Sequence, residues 1–265
     1  MKLKRIFKMQ RIFIVQELKK QMEYKADFLL GVGTFFVEQA VTVLFLVVIF
    51  GNIPAIDGWS FNEILFIYGF SLLPKSIDHL FFDKLWHVGQ WMVRMGEFDI
   101  YLTRPINPLV HILIERFLVN GFGELIVGLS LILWTAPQIA IEWTIVKILL
   151  WLLVLPFCTI IFTAIKTATA ALAFWVKTSG NVTFMFYMVH GFSKYPVTIY
   201  NRFIQTIVTY IIPFALTAFY PASYILRGGN AWFCIGMPML VAVVLMTVAV
   251  FIWNQGVKVY ESAGS

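Results

Sequence analysis

Long apolar blocks follow a strongly basic N-terminal segment, and this order constrains the fold of the chain more than any other feature. Of the 20 Lys and Arg residues, eight stand in the first 25 positions, where only Glu17 and Glu23 oppose them. Charged residues make up 13% of the sequence, whereas a soluble domain carries about 25%. The sequence therefore predicts a multi-pass membrane protein whose basic end stays in the cytoplasm, because Lys and Arg that flank spans are retained there.

Residues 1–25 are predicted to form a cytoplasmic amphipathic helix. At 100° per residue, Ile6, Phe13 and Leu18 fall on one face, and most Lys and Arg fall on the other. A basic helix placed just before a span is expected to lie in the headgroup plane of the membrane. Residues 26–265 are then predicted to form the transmembrane domain, surrounded by membrane lipids.

Six apolar blocks are interpreted as membrane spans of about 20 residues each. They are predicted over 28–50, 61–80, 109–133, 145–175, 181–195 and 232–253. The loops 51–58 and 134–143 contain no Lys or Arg and are assigned to the outside, whereas the charged stretch 81–107 is assigned to the cytoplasm. The predicted fold is all-α, with six transmembrane helices and both termini in the cytoplasm.

The region 196–230 is interpreted as a pair of outer re-entrant helices, with its centre at 196–222. Its apolar part contains Pro213 and is bounded by Pro196 and Pro221. Such backbone is tolerated at membrane depth where protein buries it. The alternative is a seventh span, which would place the C-terminus outside.

No catalytic, nucleotide-binding or metal-binding motif stands out. The chain has no Gly-rich phosphate loop and no H-E-x-x-H, and its four His residues are not at ligand spacing. Cys158 and Cys234 stand alone inside apolar blocks and are interpreted as small buried side chains. Membrane topology explains the excess positive charge, so nucleic acid is not predicted as a partner. The sequence therefore favours no enzyme, and no cofactor or metal site in this chain.

The sharpest local pattern is the cytoplasmic segment 81–108. Apolar residues that include Trp86 suit one face of a short helix ending at Gly96, and Pro105 and Pro108 limit any helix beyond it. A rigid, aromatic and charged connector suits docking to a partner protein. The alternative is an ordinary loop held to the headgroups by Trp86 and Trp91.

Residues 96–108 read GEFDIYLTRPINP, and this segment resembles the first intracellular loop of the ABC type-2 permease family. Other features fit the six-span exporter branch of that family. They are the basic N-terminal helix, the sequence Tyr195-Pro196 and Ile212-Pro213 followed by Tyr220-Pro221-Ala222, and the tail 260–265.

The resemblance implies an export subunit of a bacterial cell membrane that hydrolyses no ATP itself. Such subunits pair with a second permease, identical or a sister chain, and with two separate ABC ATPase subunits, which carry the ATP and Mg. The family's coupling role falls here on 81–108, its connecting helix on 1–25, and its outer re-entrant helices on 196–222. The candidates for ATPase contacts are Trp86, Arg94, Glu97, Asp99, Arg104 and Pro105.

Ionisable residues inside the predicted spans are candidates for a translocation path, above all Glu38 and Glu124. A charge at such depth costs about 2.5–3.5 kcal/mol on insertion scales, so it tends to face a cavity or a partner. Glu115, Arg116 and Lys166 also lie in predicted spans. The alternative to a path is structural ion pairing between spans or subunits, or snorkelling of Lys166 to the inner face. The structural interpretation is favoured for Glu115 and Arg116, which lie close to the cytoplasmic end.

An ion- or proton-coupled carrier without an ATPase is the alternative function, with Glu38 and Glu124 as its relay. Inverted repeats are the expected signature of many such carriers, and the sequence shows none. Substitution of Arg104 and Asp99 is expected to separate the two functions, because only an exporter would lose ATPase docking. The aromatic content suits amphiphilic substrates, although it also suits lipid contact.

Overall fold

The computed structural model describes residues 3–23, 25–119 and 121–262, and these residues are mostly helical, with no β-strand among them. The α-helices in chain order are α1 (Leu3–Glu23), α2 (Lys25–Phe50), α3 (Phe61–Phe82), α4 (Lys84–His87), α5 (Asp99–Leu102), α6 (Pro108–Glu115), α7 (Gly121–Thr135), α8 (Ile145–Ala171), α9 (Ala173–Val176), α10 (Gly180–Val189), α11 (Arg202–Thr206), α12 (Phe219–Arg227) and α13 (Met237–Val259). Tight 3-10 turns cover Ala136–Gln138, His190–Lys194, Val197–Ile199 and Phe214–Thr217, and wider π-helical turns cover Val88–Met92, Ile207–Ile211 and Trp232–Gly236.

Positions 1, 2 and 24 of the predicted N-terminal unit and the end of the tail motif, 263–265, lie outside the described residues. Within the described part, the predicted N-terminal helix is observed as α1. The ring of its Phe13 stacks on His111 of α6, with 6.0 Å between ring centroids. Ile14 packs against a cluster that contains Leu80 and Phe117. Helix α1 is therefore attached to the same end of the molecule as the end of α3.

Four helical stretches are long and apolar enough to cross a membrane. They are Gly33–Phe50, Phe61–Phe82, Ile145–Val176 and Trp232–Val259. Helix α7 has 15 residues and α10 has 10, about 22 and 15 Å at 1.5 Å per residue. Both are shorter than the hydrocarbon core of about 30 Å. The described residues thus contain four membrane-length helices, with α7 and α10 as shorter helices among them.

The continuous helix predicted over 109–133 is wrong. The structure has two helices there, α6 and α7, and Arg116 between them is extended, with φ −110° and ψ 140°. The Leu118 amide donates to the Leu80 carbonyl at 3.0 Å. Gly121 lies so close to Leu80 that a Cβ at position 121 would be 2.9 Å from its Cγ. The helix breaks because the backbone closes onto the end of α3.

Helix α3 is the central helix of the fold, and most of its side chains are buried. It begins at a capping box, in which the Ser60 hydroxyl accepts from the Glu63 amide and the Glu63 carboxylate accepts from the Ser60 amide. The helix continues through Pro74. Its Gly69 meets Gly128 of α7 at backbone distance, since a Cβ on Gly69 would lie 2.9 Å from the Gly128 carbonyl oxygen. Two glycines thus allow the closest helix crossing in this part of the core.

The helices run between two ends, which we call the basic end and the far end. At the basic end, residues of the 81–108 segment form one apolar cluster with Phe174 and Trp253. At the far end, the indole N–H of Trp59 donates to the Thr198 hydroxyl at 3.2 Å. The Arg227 guanidinium there lies 3.5 Å from the centroid of the Trp59 ring and 2.8 Å from the Glu63 carboxylate. Arg227 is therefore neutralised within the fold.

The segment 196–227 consists of short helices and turns that pack on the far-end half of α3. It breaks at Ile212 and Pro213, and the following Phe214 packs on Phe162 near the middle of α8. Residues 213–219 are all buried. Protein therefore covers the backbone that follows this break.

Candidate functional site

Two buried ion-pair networks lie side by side on α3. In the first, the Lys166 ammonium of α8 contacts the Asp78 carboxylate at 2.6 Å and the Asp83 carboxylate at 3.1 Å. The Lys166 and Asp78 side chains are both fully buried. The Tyr187 hydroxyl of α10 and the Thr163 hydroxyl also donate to Asp78, at 2.7 and 2.8 Å. This network therefore joins α3, α8 and α10 at one carboxylate.

The second network centres on Glu124 of α7. Its carboxylate contacts the Lys75 ammonium at 2.7 Å and the Nδ1 atom of His79 at 3.1 Å. Lys75 and His79 are four residues apart on α3 and so project from the same face of the helix. Glu124 is fully buried, whereas the side chains of Lys75 and His79 are 12% and 18% exposed. The Lys75 and His79 side chains thus separate Glu124 from the space beyond them.

That space is a groove between α2, α3, α10 and the 84–94 segment. It consists of three adjoining cavities of about 470, 420 and 380 Å³. Trp86 lines all three, Gln90 lines the first two, and His79 lines the last two. We call the three cavities together the polar groove.

The polar groove extends from the basic end towards the middle of the helices. Its mouth is lined by Arg94 and by residues 178–182 at the start of α10. The cavity farthest from the basic end is the one that we call the deepest cavity. It is lined by Glu38, Lys75, His79, Trp86, Phe184, Tyr187, Met188, His190, Gly191 and Lys194. Charged groups and apolar side chains thus line the same space, which suits a ligand with both polar and apolar parts.

Two ionisable residues that line the groove, His87 and Asp83, have shifted pKa values. The Arg116 guanidinium contacts the His87 ring. Burial, reinforced by that guanidinium, lowers the pKa of His87 to about 4. Burial alone would raise the pKa of Asp83, but the Lys166 ammonium and other nearby cations outweigh it and leave that pKa below its usual value. At neutral pH the groove therefore has a neutral His87 and a charged Asp83.

The segment 81–108 places its predicted contact residues in different environments. Arg94, Glu97, Arg104 and Pro105 are exposed at the basic end. Trp86 is half-buried and lies edge-on to the Tyr187 ring, with 5.2 Å between centroids.

Asp99 of this segment is half-buried, and its carboxylate accepts from the Tyr260 hydroxyl at 2.9 Å and from the Ser262 hydroxyl at 2.5 Å. The same carboxylate thus holds the C-terminal tail, an intramolecular role that the sequence did not indicate.

The two predicted path residues also differ. Glu38 is exposed and lines the deepest cavity. Glu124 is fully buried, and Lys75 and His79 lie between it and the groove. Lys166 does not snorkel to the inner face. Its side chain is buried and forms ion pairs with Asp78 and Asp83, the other structural interpretation of this residue.

Sequence reasoning missed Lys75, Asp78 and His79 as members of this site. Their signal was available, because three ionisable residues within five positions of a predicted span are costly at membrane depth unless they are paired. Among the described residues, no group of three or more His, Cys, Asp or Glu side chains is placed to hold a metal ion.

Comparison with known proteins adds one finding. The family model described as ABC-2 family transporter protein matches residues 36–264, which is most of the chain. None of the curated proteins compared with the chain matches it. The match begins inside α2 and covers the polar groove, both ion-pair networks and the segment 81–108.

Proposed function

This chain belongs to the ABC-2 family of transporter proteins, and on that premise we propose that it exports a substrate by alternating access, driven by separate ATPase subunits. The family makes the chain a membrane permease of an ABC-type transporter. The proposal adds the direction of transport, the mechanism and the assembly.

The observation that carries the proposal is the exposed face of the coupling segment, held on a buried anchor. Met95, Ile100 and Leu102 are 61%, 53% and 45% exposed, beside the exposed charge of Arg104. Between them, Phe98 is fully buried against aromatic rings of the core. An apolar surface edged by charge is typical of a protein interface. We assign this face to an ABC ATPase subunit.

The contacts of Asp83 support the transmission of movement from this segment. Asp83 follows α3 directly and shares the Lys166 ammonium with Asp78. A displacement of the coupling segment would therefore move Asp83 relative to Lys166 and disturb the ion-pair network that joins α3, α8 and α10. Alternating access requires that ATP, bound with Mg on the partner ATPase, favours one of two packings of these helices through differential binding.

The proposed topology has six spans, with both termini in the cytoplasm of a bacterial cell and outer re-entrant helices over 196–222. The common location of α1, the coupling segment and the end of α13 supports it, because the basic end then faces the cytoplasm. Helices α7 and α10 would be the shorter spans, in line with the buried position of much of α7.

The proposed assembly contains a second permease, identical or a sister chain, and two ATPase subunits. Helix α2 supports it, since most of its side chains are exposed and only Gln39 and Leu46 are buried among those described. A second copy covering this face would also close the open side of the polar groove, which α2 borders at Glu38.

The test is a mild-detergent purification of the complex from native membranes, with mass spectrometry of the proteins that accompany this chain. We expect a stoichiometric ATPase. Arg104→Glu should reduce the recovery of the ATPase at least about tenfold, because an anionic side chain would replace a cationic one at the interface. Arg202→Glu is the matched control, since Arg202 is exposed at the far end. Equal ATPase recovery with both variants would contradict the assigned coupling face.

The buried Lys75–Glu124–His79 network favours one other function, an ion- or proton-coupled carrier. Such a carrier would purify without an ATPase and would be indifferent to Arg104→Glu. An ATPase-free oligomer that transports its substrate in liposomes under an ion gradient would favour the carrier over the exporter.

A further inference from the structure

We propose that the deepest cavity of the polar groove binds a zwitterionic amphiphile, a small molecule with a cationic group, an anionic group and an apolar chain. This inference rests on the proposed function, because the amphiphile would be the transported substrate. Two unpaired charges of opposite sign, one unpaired buried nitrogen and a wall of apolar side chains in one cavity carry it.

The two unpaired charges are Glu38 and Lys194. Both line the cavity of about 380 Å³. Neither forms an ion pair with the other or with any residue that the structure describes. The Lys194 ammonium lies 5.7 Å from the centroid of the Tyr68 ring, a weak contact compared with a carboxylate.

Glu38 is exposed and Lys194 is half-buried, and both differ from the charged residues around them in the middle of the helices. Lys75, Lys166 and Glu124 each have an ion-pair partner within 3.1 Å. A charge at this depth is expensive without a counter-charge. Because the fold supplies counter-charges for the neighbouring residues, we infer that a ligand supplies them for Glu38 and Lys194.

His190 adds an independent polar group. Its side chain is 3% exposed, and its Nε2 atom has no hydrogen-bond partner. It lines the same cavity. An unpartnered buried nitrogen costs free energy unless something completes its hydrogen bond. The polar head of a bound ligand would do so.

The apolar side chains of the cavity would contact the hydrocarbon chain of the ligand. Phe184 and Met188 are 57% and 62% exposed and line the cavity together with Trp86. Aromatic rings and a flexible thioether accommodate hydrocarbon of variable shape. A purely anionic ligand would leave Glu38 unpaired beside it, and a purely cationic ligand would leave Lys194 unpaired. A zwitterion satisfies both residues.

The test is the binding of three radiolabelled probes that share a dodecyl chain, each below its micelle concentration, to the full chain in nanodiscs. The probes are zwitterionic dodecylphosphocholine, anionic dodecyl phosphate and cationic dodecyltrimethylammonium, with empty nanodiscs as background. We expect the zwitterion to bind at least about tenfold more tightly than either other probe, since each of the other probes loses one charge–charge contact, with Glu38 or with Lys194.

Two variants should change the order of affinities in opposite ways. Glu38→Gln should abolish the preference for zwitterion over anion, and Lys194→Gln should abolish the preference for zwitterion over cation. The matched controls, Glu142→Gln and Lys258→Gln, alter exposed charges elsewhere and should keep the parent order. Equal affinities for the three probes, or site variants that behave like the controls, would overturn the proposal.

A second measurement needs no substitution. A dodecylphosphocholine carrying a photoreactive diazirine on its chain should label residues 184–191 of the unmodified protein. Labelling confined to lipid-facing positions of α13 would overturn the proposal. Comparison of nanodiscs made from zwitterionic and anionic lipids identifies the source of the ligand. If the probe binds more weakly in the zwitterionic discs, their lipid competes for the site, which supports the site and indicates a membrane lipid as the ligand. Equal binding in both kinds of disc supports the site with a non-lipid amphiphile as the ligand.

The purified material separates this inference from the proposed function. A co-purifying ATPase without probe selectivity would overturn the site and leave the exporter intact. Probe selectivity without an ATPase would support the site and overturn the exporter.

Discussion

The Lys166 ammonium lies 2.6 Å from the Asp78 carboxylate, and neither side chain is exposed. Because Lys166 also contacts Asp83, one cation of α8 holds both the end of α3 and the beginning of the coupling segment. A buried cation in this position is strongly tied to its partners, since the loss of one member leaves an uncompensated charge in the core.

Lys166→Met is expected to lower the free energy of unfolding by about 3–5 kcal/mol, because it leaves the Asp78 carboxylate buried without its cation. Thermal unfolding in detergent would measure the loss. Lys166→Met combined with Asp78→Asn should recover part of it, and Lys258→Met, at an exposed position, should be nearly neutral. A single variant as stable as the parent protein would show that the pair is not a stabilising contact.

Gly69→Ala and Gly128→Ala should each destabilise the crossing of α3 and α7. A Cβ on Gly69 would lie 2.9 Å from the Gly128 carbonyl oxygen, and a Cβ on Gly128 would lie 2.8 Å from the Gly69 carbonyl oxygen. Since backbone cannot yield as a side chain can, we expect a cost of about 1–3 kcal/mol. Gly33→Ala is the control, because its Cβ would meet nothing within 4 Å. The prediction fails if all three variants melt at the same temperature.

Phe98→Ala should detach the coupling segment from the core. The Phe98 ring is fully buried and packs edge-on against Phe174 and Trp253, so its removal is expected to cost about 3–5 kcal/mol. Protease sensitivity between residues 81 and 108 should rise together with the loss of thermal stability. Ile100→Ala, at an exposed position, should leave both nearly unchanged. If Ile100→Ala lowered thermal stability and raised protease sensitivity more than Phe98→Ala, Phe98 would not be the residue that anchors the segment.

Stability should fall as the pH is lowered from about 6.5 to 4, in part because of His87. Burial, reinforced by the Arg116 guanidinium, lowers the pKa of His87 from 6.5 to about 4 in the folded protein. Between these values the unfolded chain binds a proton that the folded chain does not, so His87 favours folding above pH 6.5 and loses this effect towards pH 4.

The measurement is the melting temperature of the parent protein and of His87→Gln as a function of pH. The variant cannot titrate at this position, so its curve should be flatter over the same interval. Parallel curves would show that His87 does not contribute to the acid sensitivity.

Hydropathy alone predicted the helices that are long and apolar or amphipathic. Helix α1, the long helices α2, α8 and α13 and the start of α3 follow from local composition, since each carries its own apolar or amphipathic pattern. The break between α6 and α7 did not follow from it. Residues 117–119 are Phe, Leu and Val, as apolar as a span, and the break depends on a hydrogen bond from Leu118 to Leu80, which is distant in sequence.

The candidate site was predicted only in part. Glu38 was chosen from the sequence as a path residue, and it lines the polar groove. Trp86 was chosen as an ATPase contact, and that it also lines the groove was not predicted. Lys75, Asp78 and His79 were overlooked because the average hydropathy of a segment does not report its single ionisable residues. Glu124 was chosen as a path residue, but which groups surround it depends on the packing of α7 against α3.

The sequence by itself determined that this chain is a helical membrane protein with a basic end and the loop of an ABC-2 permease, because charge, hydropathy and a short motif are local properties. Only the tertiary structure decided which charges are paired and which are open. Lys166 is neutralised by Asp78, whereas Glu38 and Lys194 face one cavity without an ion-pair partner among the residues that the structure describes. Pairing depends on which helices meet and on which faces, and contacts between residues far apart in the chain decide that.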